Sequence, residues 1–346
     1  MSKLDVRELA IQLERESKQV PKAAEEEEFV FLDRSRRIPE TQSSCMFSTL
    51  HKMSHFRDRI ALMAGLRIGT SAFTAAGWPG TFYPEGLPER EYLTYYATKF
   101  DTVEVDSTFY RTPALTTVKR WNSKTPKGFL FAAKIPQRIT HEKVLVDCEE
   151  EFSEFLKVMD VLDEKLGPLL FQFGYFNKKA FLGVNDFLAR LKPFLKKLPK
   201  GYKFAVEIRN KNWLVPQFIE ALRERGVALA LIDQAWMPRP AKWFEKFDPI
   251  TAEFTYVRWL GDRKGIEEQT KLWNKIIVDR KPDLAEWVEV LKTVHKRKIQ
   301  ILAFANNHYA GYGPGTVEQF RKIWQRQVGK ETSTRNRAAA QGQLFK

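Results

Sequence analysis

The chain has 346 residues; 43% are hydrophobic, including 26 Phe and 9 Trp, and 29% are charged, which excludes a wholly disordered or fibrous protein and supplies a large core. The formal charge is +14, and all of the excess lies in residues 63–346, with 46 basic against 32 acidic side chains. Such a body suits a polyanion or a phosphorylated substrate, or else is simply a solvated lysine-rich surface.

Residues 1–62 carry the run Glu25-Glu26-Glu27-Glu28 and much Ser, Arg and Gln, with a weak apolar repeat at Leu4, Leu9 and Leu13. The pattern predicts a poorly ordered extension, with a regulatory arm as the alternative. Its acidic residues argue against a transit peptide, and Met63 stands directly before the first strong strand, where an alternative start would fall.

From Leu66 short apolar strands alternate with helically spaced segments. The predicted order is strand Leu66–Thr70, helix Pro88–Phe100, strand Thr102–Ser107, helix Leu115–Asn122, strand Phe129–Ile135 and helix Glu149–Leu162. Then come strand Pro168–Phe173, helix Val184–Leu198, strand Lys203–Arg209, helix Pro216–Arg225 and strand Val227–Ile232. An irregular stretch, Trp236–Trp243, precedes strand Tyr256–Trp259, helix Asp283–Lys296, strand Gln300–Ala305 and helix Thr316–Gln325. Eight strand–helix units in about 260 residues predict a (β/α)8 TIM barrel over 63–328. A doubly wound sheet is the competing fold, but the turn Ser71–Gly80 lacks the glycine spacing of a dinucleotide site, and no P-loop occurs. Residues 329–346 are polar and predict a flexible tail.

In a barrel the chemistry collects at the C-terminal strand ends, and strand side chains alternate between interior and helix layer. Glu104 and Asp106 face inward on the second strand, Lys134 ends the third, and Gln172 the fourth. Glu207 and Arg209 face in on the fifth, Asp233 ends the sixth, Arg258 lies on the seventh, and Asn306 and Asn307 follow the eighth. Buried charge is costly unless paired. The cluster is therefore either a site or a set of ion pairs closing the mouth, for example Glu207 with Arg209 or Arg258.

Several chemistries stay open. Glu104, Asp106, Glu207 and His141 are the catalytic candidates, as general acids or bases. A divalent metal would take Glu104, Glu207 and Asp233. Lys134, Gln172, Arg209, Arg258, Asn306 and Asn307 would bind substrate or phosphate. Trp78, Tyr110 and Trp213 would stack on a base or sugar, alongside Phe82, Tyr83, Phe109, Trp236 and Trp259, unless they simply pack. Five histidines are too few for a trinuclear zinc site. No apolar run approaches the ~18 residues of a membrane span. Cys45 and Cys148 cannot make a disulfide framework, and a reducing, cytoplasmic compartment fits.

These motifs resemble the YecE-like family, also called domain of unknown function 72. The resemblance rests on Ile68-Gly69-Thr70-Ser71, Trp78-Pro79-Gly80-Thr81-Phe82-Tyr83-Pro84, Thr102 to Arg111, Phe131 to Pro136, Ile139-Thr140-His141 and Leu166 to Phe173. Glu207-Ile208-Arg209, Trp213, Tyr256-Val257-Arg258 and Asn306-Asn307 complete it. The resemblance covers roughly 66–327 and implies a TIM barrel, with no activity attached. Asn210 stands where the family often has histidine, and Trp259-Leu260-Gly261 where it often has His-Gly, which suggests a subgroup.

Gln341, Leu344 and Phe345 are similar to the pentapeptide that docks on the sliding clamp, with two apolar side chains filling a pocket and the glutamine bonding its rim. Three functions follow from the sequence: an enzyme acting on nucleic acid at a phosphodiester or damaged nucleotide, a small-molecule isomerase or hydrolase for a sugar or phosphorylated metabolite, and a non-catalytic adaptor bound to the clamp.

Overall fold

The structure, a computed structural model, describes residues 65–343, with side chains through 328. The predicted extension 1–62, and Leu344 and Phe345 of the clamp-like motif, lie outside the described residues.

Eight parallel strands form one sheet. In chain order the elements are β1 (Leu66–Thr70), α1 (Tyr92–Lys99), β2 (Thr102–Val105), α2 (Leu115–Ser123), β3 (Leu130–Lys134), α3 (Glu149–Met159), β4 (Leu166–Gln172), α4 (Val184–Lys197) and β5 (Phe204–Glu207). There follow α5 (Pro216–Arg223), β6 (Ala228–Gln234), α6 (Pro240–Phe244), β7 (Phe254–Gly261), α7 (Arg263–Glu267), α8 (Lys281–Lys296), β8 (Gln300–Ala305), α9 (Asn307–Ala310) and α10 (Gly313–Gln343). The strand order β1-β8-β7-β6-β5-β4-β3-β2 is that of a (β/α)8 barrel, with β1 and β2 brought side by side at a seam that no strand ladder closes.

A side chain closes it instead. Tyr96 of α1 is fully buried; its hydroxyl accepts from Thr70 N (2.9 Å) and donates to Thr102 O (3.1 Å). The strands approach so tightly there that a Cβ on Gly69 would lie 2.0 Å from Thr102 O, so only glycine fits.

The strands are buried on both faces, as parallel strands flanked by helices must be. On the outer face Phe131 stacks on Trp121 of α2, Phe171 packs against Phe194 of α4, and Trp259 packs against Trp287 of α8 and Phe320 of α10. Inside, the small residues Ala132, Ala205, Ala228 and Ala230 make room for Tyr256, Arg258 and Phe304 from β7 and β8.

Three differences from the sequence reading have simple causes. The irregular stretch after β6 contains a short helix started by Pro240 at its first position. The short helices α7 and α9 sit in loops, too brief to show a period. The backbone of α10 continues through residues 329–343, where a tail was expected; that stretch holds many good helix formers, among them Ala338-Ala339-Ala340.

Candidate active site at the barrel mouth

Arg258 is the centre of the mouth. It is 1% exposed, and Glu104 and Glu207 beside it are 0% exposed. Register brings Arg258 from β7 across the barrel to carboxylates on β2 and β5. Its Nε and Nη2 donate to Glu104 Oε1 at 3.1 and 2.8 Å, and its Nη1 donates to Glu207 Oε2 at 2.6 Å. Nη2 also reaches Asp106 Oδ1 at 3.3 Å. Tyr256, two residues before Arg258 on the same face, donates its hydroxyl to Glu104 Oε2 at 2.6 Å. Every polar atom of this buried group thus has a partner, which is the condition for burying three charges.

The two glutamates respond differently. Burial raises Glu104 to about 6, opposed by Arg258 and reinforced by nearby Asp106. Glu207 is equally buried, yet Arg258 and Arg209 together overcome burial and hold it down at about 2. Arg209 Nε donates to Glu207 Oε1 at 2.9 Å. Burial and the charge of Glu104 raise Tyr256 far above its ordinary range; for Arg258 burial pulls the other way, but Glu104, Glu207 and Asp106 outweigh it and raise it far above its own, so both stay protonated.

Above this floor the mouth is cationic on one side. Lys134, at the end of β3, lies 3.6 Å from Asp106 Oδ1 and 4.5 Å over the Phe109 ring. His141 sits in a wide helical turn, Arg138–Glu142, with its ring edge-on to Phe109 and Nδ1 sharing a 2.9 Å hydrogen bond with Thr140 Oγ1. Burial, then Lys134 and Arg209, lower its pKa, so the ring is neutral near pH 7. Gly174 leaves the ring its space: a Cβ there would lie 3.3 Å from His141 Nε2. Among the described residues neither terminal nitrogen of Arg209 has a hydrogen-bond partner. Gln172, in register with Glu207, completes this arc.

The structure therefore brings Glu104, Asp106, Lys134, His141, Gln172, Glu207, Arg209 and Arg258 to one end of the barrel. It does not bring Asp233 there. Asp233 faces the helix layer, accepting from Trp287 Nε1 (2.8 Å), the Tyr309 hydroxyl (3.0 Å) and Arg239 Nη1 (3.2 Å). Because β6 is apolar on both faces, nothing in its sequence marks which way Asp233 turns.

The expected metal set is accordingly split. Glu104 and Glu207 already share the guanidinium of Arg258, and among the described residues no group of three His, Cys, Asp or Glu side chains is placed to hold a metal. The donor set does not fit a divalent cation.

Asn306 and Asn307 follow β8 and brace its loop through their Oδ1 atoms. Asn306 Oδ1 caps α9 by accepting from His308 N (3.0 Å), and Asn307 Oδ1 accepts from Gly313 N (2.8 Å). Trp78 is buried against Phe82 and Tyr83, and Trp213 between Phe176 and Phe187, so neither presents a face for stacking. Tyr110 is 71% exposed in the loop after β2. Tyr175 after β4 and Trp236 after β6 are exposed at the same end. Sequence reasoning missed Tyr256; its position two residues before Arg258 was the available signal.

Residues 67–341 match the family model described as "Protein of unknown function DUF72". The chain belongs to the DUF72 family. It is similar to the protein YecE of Escherichia coli strain K12, 31% identical over 146 residues, which cover 41% of this chain and 52% of YecE. It is also similar to YunF of Bacillus subtilis strain 168, 29% identical over 153 residues, covering 42% and 52%. The chain thus spans about half the length of the curated relatives it matches. Among solved structures, a DUF72 protein of Thermotoga maritima MSB8 superposes with a TM-score of 0.57 at 24% identity, covering 75% of this chain and 98% of that one. A DUF72 protein of Enterococcus faecalis V583 gives 0.56 at 21%, covering 75% and 95%. These structures share the DUF72 barrel fold. Where histidine was expected in the DUF72 pattern, Asn210 braces the loop after β4: its Oδ1 accepts from Phe176 N and its Nδ2 donates to Phe176 O, at 2.9 and 2.8 Å. Gly261 is required by contact, since a Cβ would lie 2.6 Å from His308 O.

Proposed function

We propose that this chain is an enzyme acting on nucleic acid, holding a phosphodiester or a damaged nucleotide at the barrel mouth. The observation that carries the reading is the convergence of Lys134, His141 and Arg209, with the terminal nitrogens of Arg209 uncommitted among the described residues, at the barrel end whose loops also expose Tyr110, Tyr175 and Trp236. Cations at that spot neutralise phosphate oxygens, and exposed rings suit bases.

The residues divide the work. Lys134 and Arg209 hold the phosphate. Neutral His141 takes a proton at Nε2 from a water attacking phosphorus; the P–O ester bond breaks, and the leaving oxygen takes a proton from solvent. Asp106, the accessible carboxylate, orients Lys134. Glu104 and Glu207 touch no substrate; they position Arg258 and Arg209 beneath it. The clamp-like motif Gln341, Leu344 and Phe345 fits the same setting, as a tether to replicating or repaired DNA. Replacing Leu344 and Phe345 with alanine is expected to abolish binding to purified clamp and nothing else.

The test is binding to labelled single-stranded and duplex DNA and RNA at low and at physiological salt. Salt-sensitive binding is expected, weakened about tenfold by Arg209→Ala or Lys134→Ala. Absence of binding at low salt would overturn the reading and move the search to small phosphorylated ligands.

A further inference from the structure

The mouth has a second arc, and it carries unpaired polar atoms. Ser71 follows β1, where Ser71 N still donates to Ala305 O (3.1 Å), so the pairing with β8 continues. Alternation puts its side chain on the interior face, with Gly69 and Phe304. Gln234 ends β6 at a shift in register, where it pairs with Gly261 of β7; alternation along β6 itself puts it on the interior face of Ala230 and Ile232, opposite to Asp233. Ser71 is 3% and Gln234 7% exposed, and Ser71 Oγ and Gln234 Oε1 are both buried without a hydrogen-bond partner.

An unpaired buried polar atom costs about 1–3 kcal/mol, so two of them at one mouth call for a ligand that pairs them. Unpaired atoms elsewhere on the strands are placed differently: Thr255 Oγ1 and Trp259 Nε1 of β7 lie on the helix-layer face, alternating with Tyr256 and Arg258. Gln234 Oε1 only accepts, and Ser71 Oγ both accepts and donates. Gln234 Oε1 therefore suits a hydroxyl group and not a second anion, and Ser71 Oγ can pair with a hydroxyl as well. The cations stand on the arc from β3 to β5, whereas Ser71 and Gln234 stand on the arc from β6 round to β1.

We infer that the ligand is a phosphorylated sugar, with its phosphate on Lys134, His141 and Arg209 and its sugar hydroxyls on Ser71 and Gln234. The inference rests on the proposed phosphate site and adds the moiety attached to it. A nucleotide within a strand and a free sugar phosphate share this chemistry.

Calorimetric titration of the full chain with inorganic phosphate, ribose 5-phosphate and a short single-stranded oligoribonucleotide tests it. Ribose 5-phosphate is expected to bind at least about tenfold more tightly than inorganic phosphate. Ser71→Ala and Gln234→Met are expected to weaken ribose 5-phosphate by roughly fivefold to tenfold each and leave inorganic phosphate unchanged. Thermal unfolding confirms that both variants fold, and Gln234→Leu serves as a second variant at that position. If Arg209→Ala weakens every ligand while the Ser71 and Gln234 variants change nothing, the sugar site is overturned and the phosphate site stands. If Arg209→Ala also changes nothing, the phosphate site fails and the sugar site with it. Tighter binding of the oligonucleotide than of ribose 5-phosphate, with the same sensitivity to Ser71 and Gln234, supports the inference and identifies the source as a strand. The reverse order with that sensitivity supports it with a free sugar phosphate.

Discussion

The two sides of Arg258 place the same residue type in the same degree of burial and obtain opposite results. On the β2 side Glu104 has one arginine, one tyrosine hydroxyl and a second carboxylate, Asp106, close by, and it is raised to about 6. On the β5 side Glu207 lies between Arg258 and Arg209 and is held at about 2. Burial is common to both. The count of neighbouring charges decides the sign, so a carboxylate's role at a barrel mouth follows from its company more than from its depth.

The largest test removes what the two sides share. Arg258→Met leaves Glu104 and Glu207 facing each other without a cation and is expected to cost about 3–5 kcal/mol, read as a lower urea midpoint; an unchanged midpoint would sink the account of the mouth as an ion network. Next, Glu207→Gln is expected to cost about 2–3 kcal/mol at pH 7. Because its folded pKa is depressed, that contribution is present above the unfolded value of 4.5 and lost as pH falls toward about 2, so wild type and variant converge in acid. Tyr256→Phe strips Glu104 of its hydroxyl donor and is expected to cost about 1–2 kcal/mol by the same assay. The smallest effect belongs to Glu104→Gln, under about 1 kcal/mol at pH 8. Glu104 is raised, so its contribution is present below 4.5 and lost as pH rises through about 6. The gap between wild type and Glu104→Gln therefore narrows with rising pH, opposite to the Glu207 variant. Parallel pH curves for the two variants would show that the sides do not differ.

Much of the fold was legible because strand burial leaves a mark in sequence. The limits of β1 and β8 agree with the predicted ones, and the other strands shift by no more than a few residues at their ends. The list of strand-end polar residues was legible for the same reason. Their pairing was not: Arg258 meets a partner 154 positions away, and only the closed barrel brings them together. The ion-pair alternative named Glu207 with Arg209 and Arg258, and both pairs are present; Glu104 enters the same network. Asp233 was misplaced because a strand apolar on both faces gives alternation nothing to contrast. Trp78 and Trp213 looked like ligand rings because a loop tryptophan carries no sign of how deeply it packs.

The seam between β1 and β2 has a dynamic consequence. A strand ladder distributes its closure over several amides, whereas here one phenol hydroxyl joins Thr70 to Thr102. Opening at that point therefore requires a single rotamer change of Tyr96, and the Thr70 amide should exchange its proton with solvent sooner than its neighbours on the β1–β8 ladder. The barrel thus has a preferred place to breathe, on the strand that ends beside Ser71.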